Sequence, residues 1–185
     1  DAICGITPIE LMLEISDLDS SRPTDARAPD GIAARRELAL PDGIGGGGVL
    51  TPIETPLGFS GFHESVLREF GPLFQQMGLV AVQGGAAGTL ADPRPAAGWK
   101  DALQPGDAIA GVLVSGDMTI SGLGTVTYND GRRVLAFGHP FFNLGPVEMP
   151  MSKAEVLMVL SSSFQPNKFA NATEIVGALR QDRHS

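Results

Sequence analysis

Apolar positions follow two rhythms along this chain. Ile9, Met12 and Leu13 share a helical face after Thr7-Pro8, with Thr7 as N-cap, Pro8 at the first helical position and Glu10 three residues after the cap. Phe62, Val66, Leu67, Phe70, Leu73 and Phe74 repeat at helical spacing behind Ser60 as a second N-cap. They predict a helix over 61–76, broken near Gly71-Pro72, with the phenylalanine stripe in the core. Leu79 to Gln83 is a short strand, and Trp99 anchors the chain after a Gly/Ala/Pro loop over 84–97. From Pro105 the rhythm becomes that of strands: Ala108 to Val114, Asp117 to Ile120, Leu123 to Tyr128 and Arg132 to Phe137. Asn129-Asp130-Gly131 between the last two signals a hairpin. Residues 105–140 thus form a β-meander ending in Gly138-His139-Pro140. Ser152 to Leu160 fits a helix or a strand equally, and Glu174 to Leu179 reads as a strand.

Between Asp17 and Gly48 the pattern dissolves into Asp, Ser, Pro and Gly. Gly45 to Gly48 could cradle phosphate only between a strand and a helix, with a lysine following. Val49-Leu50-Thr51-Pro52 comes next instead, so the run reads as a flexible linker. The organisation expected is a strand–helix segment over 1–16, an insertion or linker over 17–103, and a β-module over 104–185.

Composition supports a β-rich fold. The 185 residues are 43% hydrophobic and only 18% charged, which supplies a core and disfavours general disorder. The 24 glycines and 14 prolines suit short elements joined by tight turns. The net charge of −8, with Arg35-Arg36 and Arg132-Arg133 as isolated basic pairs, argues against nucleic acid and anionic membrane as partners. Cys4, the single cysteine, permits no internal disulfide and reads as a small core residue. No run of about 18 apolar residues offers a membrane span. The absence of an initiator methionine before Asp1 reads as a trimmed or excerpted chain.

The richest chemistry lies at Gly138-His139-Pro140. Glycine lets the chain pass close to a neighbour, proline ends strand pairing, and a histidine held there can serve as general base. Ser115, Ser121, Ser152 and Ser161-Ser162-Ser163 are the nucleophiles within reach in sequence, but none sits in a presenting turn. Asp107, Asp117, Asp130 and Glu148 are unranked candidates to orient the imidazole, with Asp117 and Asp130 better suited to turns. His63, His139 and His184 are scattered and lack a close pair, so no metal site is expected, and the family resemblance given next implies no cofactor. An apolar cleft lined by Phe137, Phe141 and Phe142 is a third reading, set against the simpler one that these rings are core.

Three stretches, Gly106 to Val114, Gly122 to Tyr128 and Val134 to Pro140, together resemble the SpoIVB family of serine peptidases, and Glu174 to Ser185 resembles the family's later segment. The resemblance implies a trypsin-like β-barrel peptidase, here incomplete, with His139 as general base, a protein or peptide substrate and an extracytoplasmic bacterial location, periplasmic or secreted. The family's serine lies in a Ser-Gly-Ser-Pro segment that this chain lacks. Ala2 to Leu13 resembles the stretch after that segment in family members. The implied partner is therefore the remainder of the protein's own polypeptide, with the serine ahead of the histidine. The rival expectation is a degenerate peptidase domain that binds or scaffolds protein without catalysis.

Overall fold

The computed structural model describes residues 6–18, 38–39, 49–50, 53–85, 90, 98, 101–161 and 166–183. Cys4, the glycine run over 45–48, Trp99, Ser162, Ser163 and His184 lie outside them, as does most of the strand expected over 2–6. Two helices and nine strands are described, in the order α1 (Ile9–Leu18), β1 (Leu38–Ala39), β2 (Val49–Leu50), β3 (Thr55–Ser60), α2 (Glu64–Gln76), β4 (Leu79–Gln83), β5 (Ala108–Val114), β6 (Thr119–Asn129), β7 (Val134–Ala136), β8 (Gly145–Leu160) and β9 (Asn167–Asp182). The fold is mainly β, as the sequence leads one to expect.

Strands β1 and β2 form a small antiparallel pair. The other seven strands form one open sheet in the order β4-β3-β6-β5-β8-β9, with β7 paired to β6. Within it β3 and β4 are parallel, joined by α2 as a crossover helix, and the remaining pairs are antiparallel.

Several expectations are corrected by tertiary context. Ser60 is the last residue of β3, not a helix cap. His63 caps α2 instead, its Nδ1 accepting from the Ser65 amide at 3.2 Å. Helix α2 runs unbroken through Pro72. The ring costs the helix one bond, to the Arg68 carbonyl, and Arg68 is exposed, where water can take that acceptor. Only part of the aromatic stripe enters the core: Phe62, Leu67 and Phe74 pack on Leu57, Phe59 and Leu79, while Phe70 and Leu73 stay about half exposed. Helix α1 starts at Ile9, so Thr7 falls outside the cap position. The strands expected at 117–120 and 123–128 merge into the single β6.

Register explains the packing. Ala110 opposes Leu123 and Val112 opposes Ser121, so these point to one face of the β5–β6 pair. There Ala110, Val112 and Leu123 meet Ala170, Ala172 and Ile175 of β9. Ile109 and Val126 join Leu103, Met151 and Val176 in a second cluster. Strands β8 and β9 shift register at four places, and such bulges bend and twist a hairpin strongly. The bending lets one long ribbon supply both clusters.

Candidate functional site

The loop after β7 departs from ordinary backbone at once. Phe137 has φ 73°, and the Gly138 amide donates to the Ala136 carbonyl at 3.0 Å, which makes Phe137 the centre of a γ-turn of the rare strained kind. Gly138 and Asn143 come next with φ 72° and 56°. Bulky residues hold such geometry only where the surroundings over-determine it.

Two glycine–phenylalanine contacts do so here. A Cβ on Gly124 would stand 2.2 Å from the Phe137 ring, and one on Gly122 would stand 1.7 Å from the Phe141 ring. The two rings therefore pack directly on bare backbone of β6. They also meet each other edge to face, with centroids 4.8 Å apart, a favourable aromatic geometry. Phe141 is buried and Phe137 and Phe142 are half-buried against core clusters, so these rings belong to the core, and Phe137 and Phe141 also border the groove beside His139.

A buried carboxylate completes the hold. Asp182, 4% exposed at the end of β9, accepts from the amides of Phe141 at 2.7 Å, Phe142 at 2.9 Å and Leu144 at 3.3 Å. Three amide donors on one carboxylate satisfy a group whose burial would otherwise be costly. Sequence reasoning missed Asp182. No local pattern marks it, because its partners lie 38 to 41 residues away along the chain.

His139 projects from this loop and is exposed. Its Nδ1 stands 3.1 Å from Thr55 Oγ1 and 3.2 Å from its neighbour's carbonyl, Pro140 O. The Pro140 carbonyl only accepts and so calls for a proton on Nδ1, whereas the Thr55 hydroxyl can donate to a bare Nδ1 or accept from a protonated one. Among the described residues Nε2 has no polar partner. Thr55 is only 4% exposed, so this contact reaches His139 from the buried side of the loop. The Thr7 hydroxyl donates to Gly138 O at 2.9 Å, tying the chain ahead of α1 to the residue before His139.

The sequence candidates around His139 are not gathered there. Ser121 and Ser152 are buried in strands, and the Ser152 hydroxyl lacks a protein partner among the described residues. Ser115 and Ser161 are exposed just beyond strand ends. Asp107 accepts from the Gln104 amide at 2.8 Å. Asp130 accepts from the amides of Arg133 and Arg132 and from the Arg133 side chain, and these bonds hold its carboxyl below the usual range. Glu148 pairs with Arg180 at 3.0 Å, and Asp117 lies exposed in the bend after β5. None of the four is bonded to His139 among the described residues. No group of three His, Cys, Asp or Glu side chains able to hold a metal is found among the described residues.

A groove of about 610 Å³ opens beside His139. One wall is α1, through Met12, Ile15 and Ser16, and the other is the end of β9. Phe137, Met149 and Met151 contribute apolar lining. No family model matches the chain, and neither does any curated protein or solved structure.

Proposed function

We propose that this chain is the histidine-bearing part of a SpoIVB-like serine endopeptidase, acting on a protein substrate or on itself. One observation carries the reading. His139 stands exposed on a strained but tightly held loop and lines a groove, with Nδ1 engaged and no polar partner for Nε2 among the described residues. With the proton on Nδ1, the Nε2 lone pair suits a general base.

The serine belongs to a segment of the polypeptide outside these residues. The Thr7–Gly138 bond supports its delivery from ahead of Asp1, because it holds Thr7 beside the residue before His139. In that arrangement Nε2 takes the serine proton as the oxygen attacks the scissile carbonyl. The imidazolium then returns the proton to the leaving amine, and water repeats the sequence on the acyl-enzyme. The open sheet is then part of a trypsin-like barrel, completed by the serine-bearing strands. An extracytoplasmic location goes with this reading.

The absence of a carboxylate on His139 among the described residues favours one rival, a degenerate peptidase domain that binds protein without cleaving it. Labelling of the full-length protein by a fluorophosphonate probe separates the two. Loss of labelling in His139→Ala supports the peptidase, and mass spectrometry then locates the serine. A folded full-length protein that takes up no probe supports the binding module.

A further inference from the structure

One transverse row of the sheet is nearly bare. Gly122 of β6 opposes Gly111 of β5, Gly111 opposes Met151 of β8, and Met151 opposes Gly177 of β9. Neighbouring side chains lean into the room that the glycines leave. A Cβ on Gly111 would stand 2.7 Å from the Leu179 side chain, and one on Gly177 would stand 2.9 Å from the Met151 methyl. Alternate residues of a strand share a face, so the next pair on this face of β8 and β9 is Met149 opposite Leu179. Met149, Met151, Gly177 and Leu179 therefore form one apolar floor, and all four border the groove beside His139. Met12 and Ile15 of α1 add apolar side chains to the wall beside it.

Charge is kept off this floor. Of the four arginines that border the groove, Arg132, Arg133 and Arg180 are exposed. Arg133 pairs with Asp17 and Asp130, Arg180 pairs with Glu148, and Arg183 donates to the Gln181 side chain. Asp182 has committed its oxygens to three backbone amides. A lysine or aspartate side chain laid on the floor would lose water and meet only apolar groups there, which is costly. An apolar side chain meets no such cost. Met12, Met149 and Met151 are half of the chain's six methionines. Their unbranched thioethers repack around apolar shapes of different outline. The volume of about 610 Å³ falls in the range of about 300–1,000 Å³ usual for ligand pockets.

We propose that this floor is the specificity pocket for the substrate residue whose carbonyl is attacked, and that it takes a large apolar side chain of the leucine or methionine class. The inference rests on the peptidase reading and names the substrate class for that site. To take the serine proton, Nε2 of His139 must come within about 2.6–3.2 Å of the attacking oxygen. The attacked carbonyl is thereby held beside His139, and the side chain of its own residue is the first to reach the groove that His139 borders. Burial of that side chain against Met149, Met151 and Leu179 supplies the preference.

Two measurements on the full-length protein test the pocket. The first uses peptidyl diphenyl phosphonates, which label a reactive serine and here differ only in the side chain at phosphorus: leucine, methionine, aspartate or lysine. The leucine and methionine probes should label about ten to a hundred times faster than the other two, the worth of burying one apolar side chain. In Met149→Asp the ratio of lysine to leucine labelling should rise about tenfold or more, a ratio read within one protein and independent of how much of it is active. The second measurement follows isotope-labelled methionine methyls by NMR while acetylated, amidated tripeptides ending in leucine or lysine are added. The leucine peptide should shift the methyls of Met149 and Met151, and the lysine peptide at equal concentration should shift neither. This second readout needs neither a reactive serine nor an altered floor. Equal labelling by the four probes overturns the pocket, and so does a leucine preference with silent methyls; in both cases the labelling itself leaves the peptidase standing. Methyl shifts in a protein that neither the phosphonates nor a plain fluorophosphonate labels keep the apolar pocket and remove the peptidase. Silent methyls in an unlabelled protein remove both.

Discussion

Asp182 Oδ1 accepts a hydrogen bond from the Phe141 amide at 2.7 Å, across 41 residues of chain, in a place where the carboxylate is almost wholly buried. The other oxygen takes the amides of Phe142 and Leu144. One side chain thereby fixes the backbone just beyond His139 and Pro140.

Removing that side chain strands three amides. Asp182→Ala is expected to destabilise the protein by about 3–5 kcal/mol, the range for breaking a buried charge-assisted network. Asp182→Asn keeps one acceptor oxygen and loses about half as much. Urea denaturation of the three proteins checks the order, and an alanine variant as stable as the parent contradicts it.

Gly122→Ala tests the packing under the loop. The added Cβ would stand 1.7 Å from the Phe141 ring, which is itself walled in by Gly111 and Phe137. A cost of about 2–3 kcal/mol is expected. Phe141→Ala in the same molecule removes the clash, so the double variant should be more stable than the sum of the two single losses. A double-mutant cycle on denaturation midpoints measures the coupling, and strict additivity contradicts the contact.

Thr55→Val keeps the shape of a buried residue and deletes the hydroxyl 3.1 Å from His139 Nδ1. The fold should be nearly as stable. If His139 is the base, the labelling rate of the full-length protein should fall about tenfold, the worth of one hydrogen bond of roughly 1.4 kcal/mol. Unchanged labelling would remove Thr55 from the positioning of His139.

The Asn129-Asp130-Gly131 turn carries a pH signature. Amide donation from Arg133 and Arg132 lowers the carboxyl of Asp130 below its ordinary 3.8. A carboxylate lowered by folding stabilises the fold above the unfolded value and stops doing so as pH falls through the folded one. The stability difference between parent and Asp130→Ala should therefore be constant near neutrality. It should shrink as the pH drops below about 3.8. Thermal melts across acid pH measure it, and a difference that widens in acid contradicts the assignment.

Local pattern was enough for several elements. Leu79–Gln83 and Ala108–Val114 are apolar runs bounded by turn residues, and both are strands with the expected ends. The Asn129-Asp130-Gly131 signal holds because its hydrogen bonds are local: Asn129 Oδ1 accepts from Gly131 N, and Gly131 takes φ 80°. The serine-to-cap reading at Ser60 failed because Pro56 and Gly58 disguise β3. That strand exists through pairing with β6 and β4, which lie far along the chain. Ser152–Leu160 was undecided for the same reason, since pairing with β9 makes it a strand while Val156 to Leu160 remain exposed.

By itself, then, the sequence determined the β-rich class, the meander and the place of His139, because propensity, turn chemistry and side-chain alternation act over a few neighbouring residues. Only the tertiary structure decided that Thr55, Thr7 and Asp182 converge on the loop of His139 and that Gly122 and Gly124 are seats for Phe141 and Phe137. Those relationships depend on which strands pair and in what register. Register is set by burial summed over the whole sheet, and no local window of residues contains that sum.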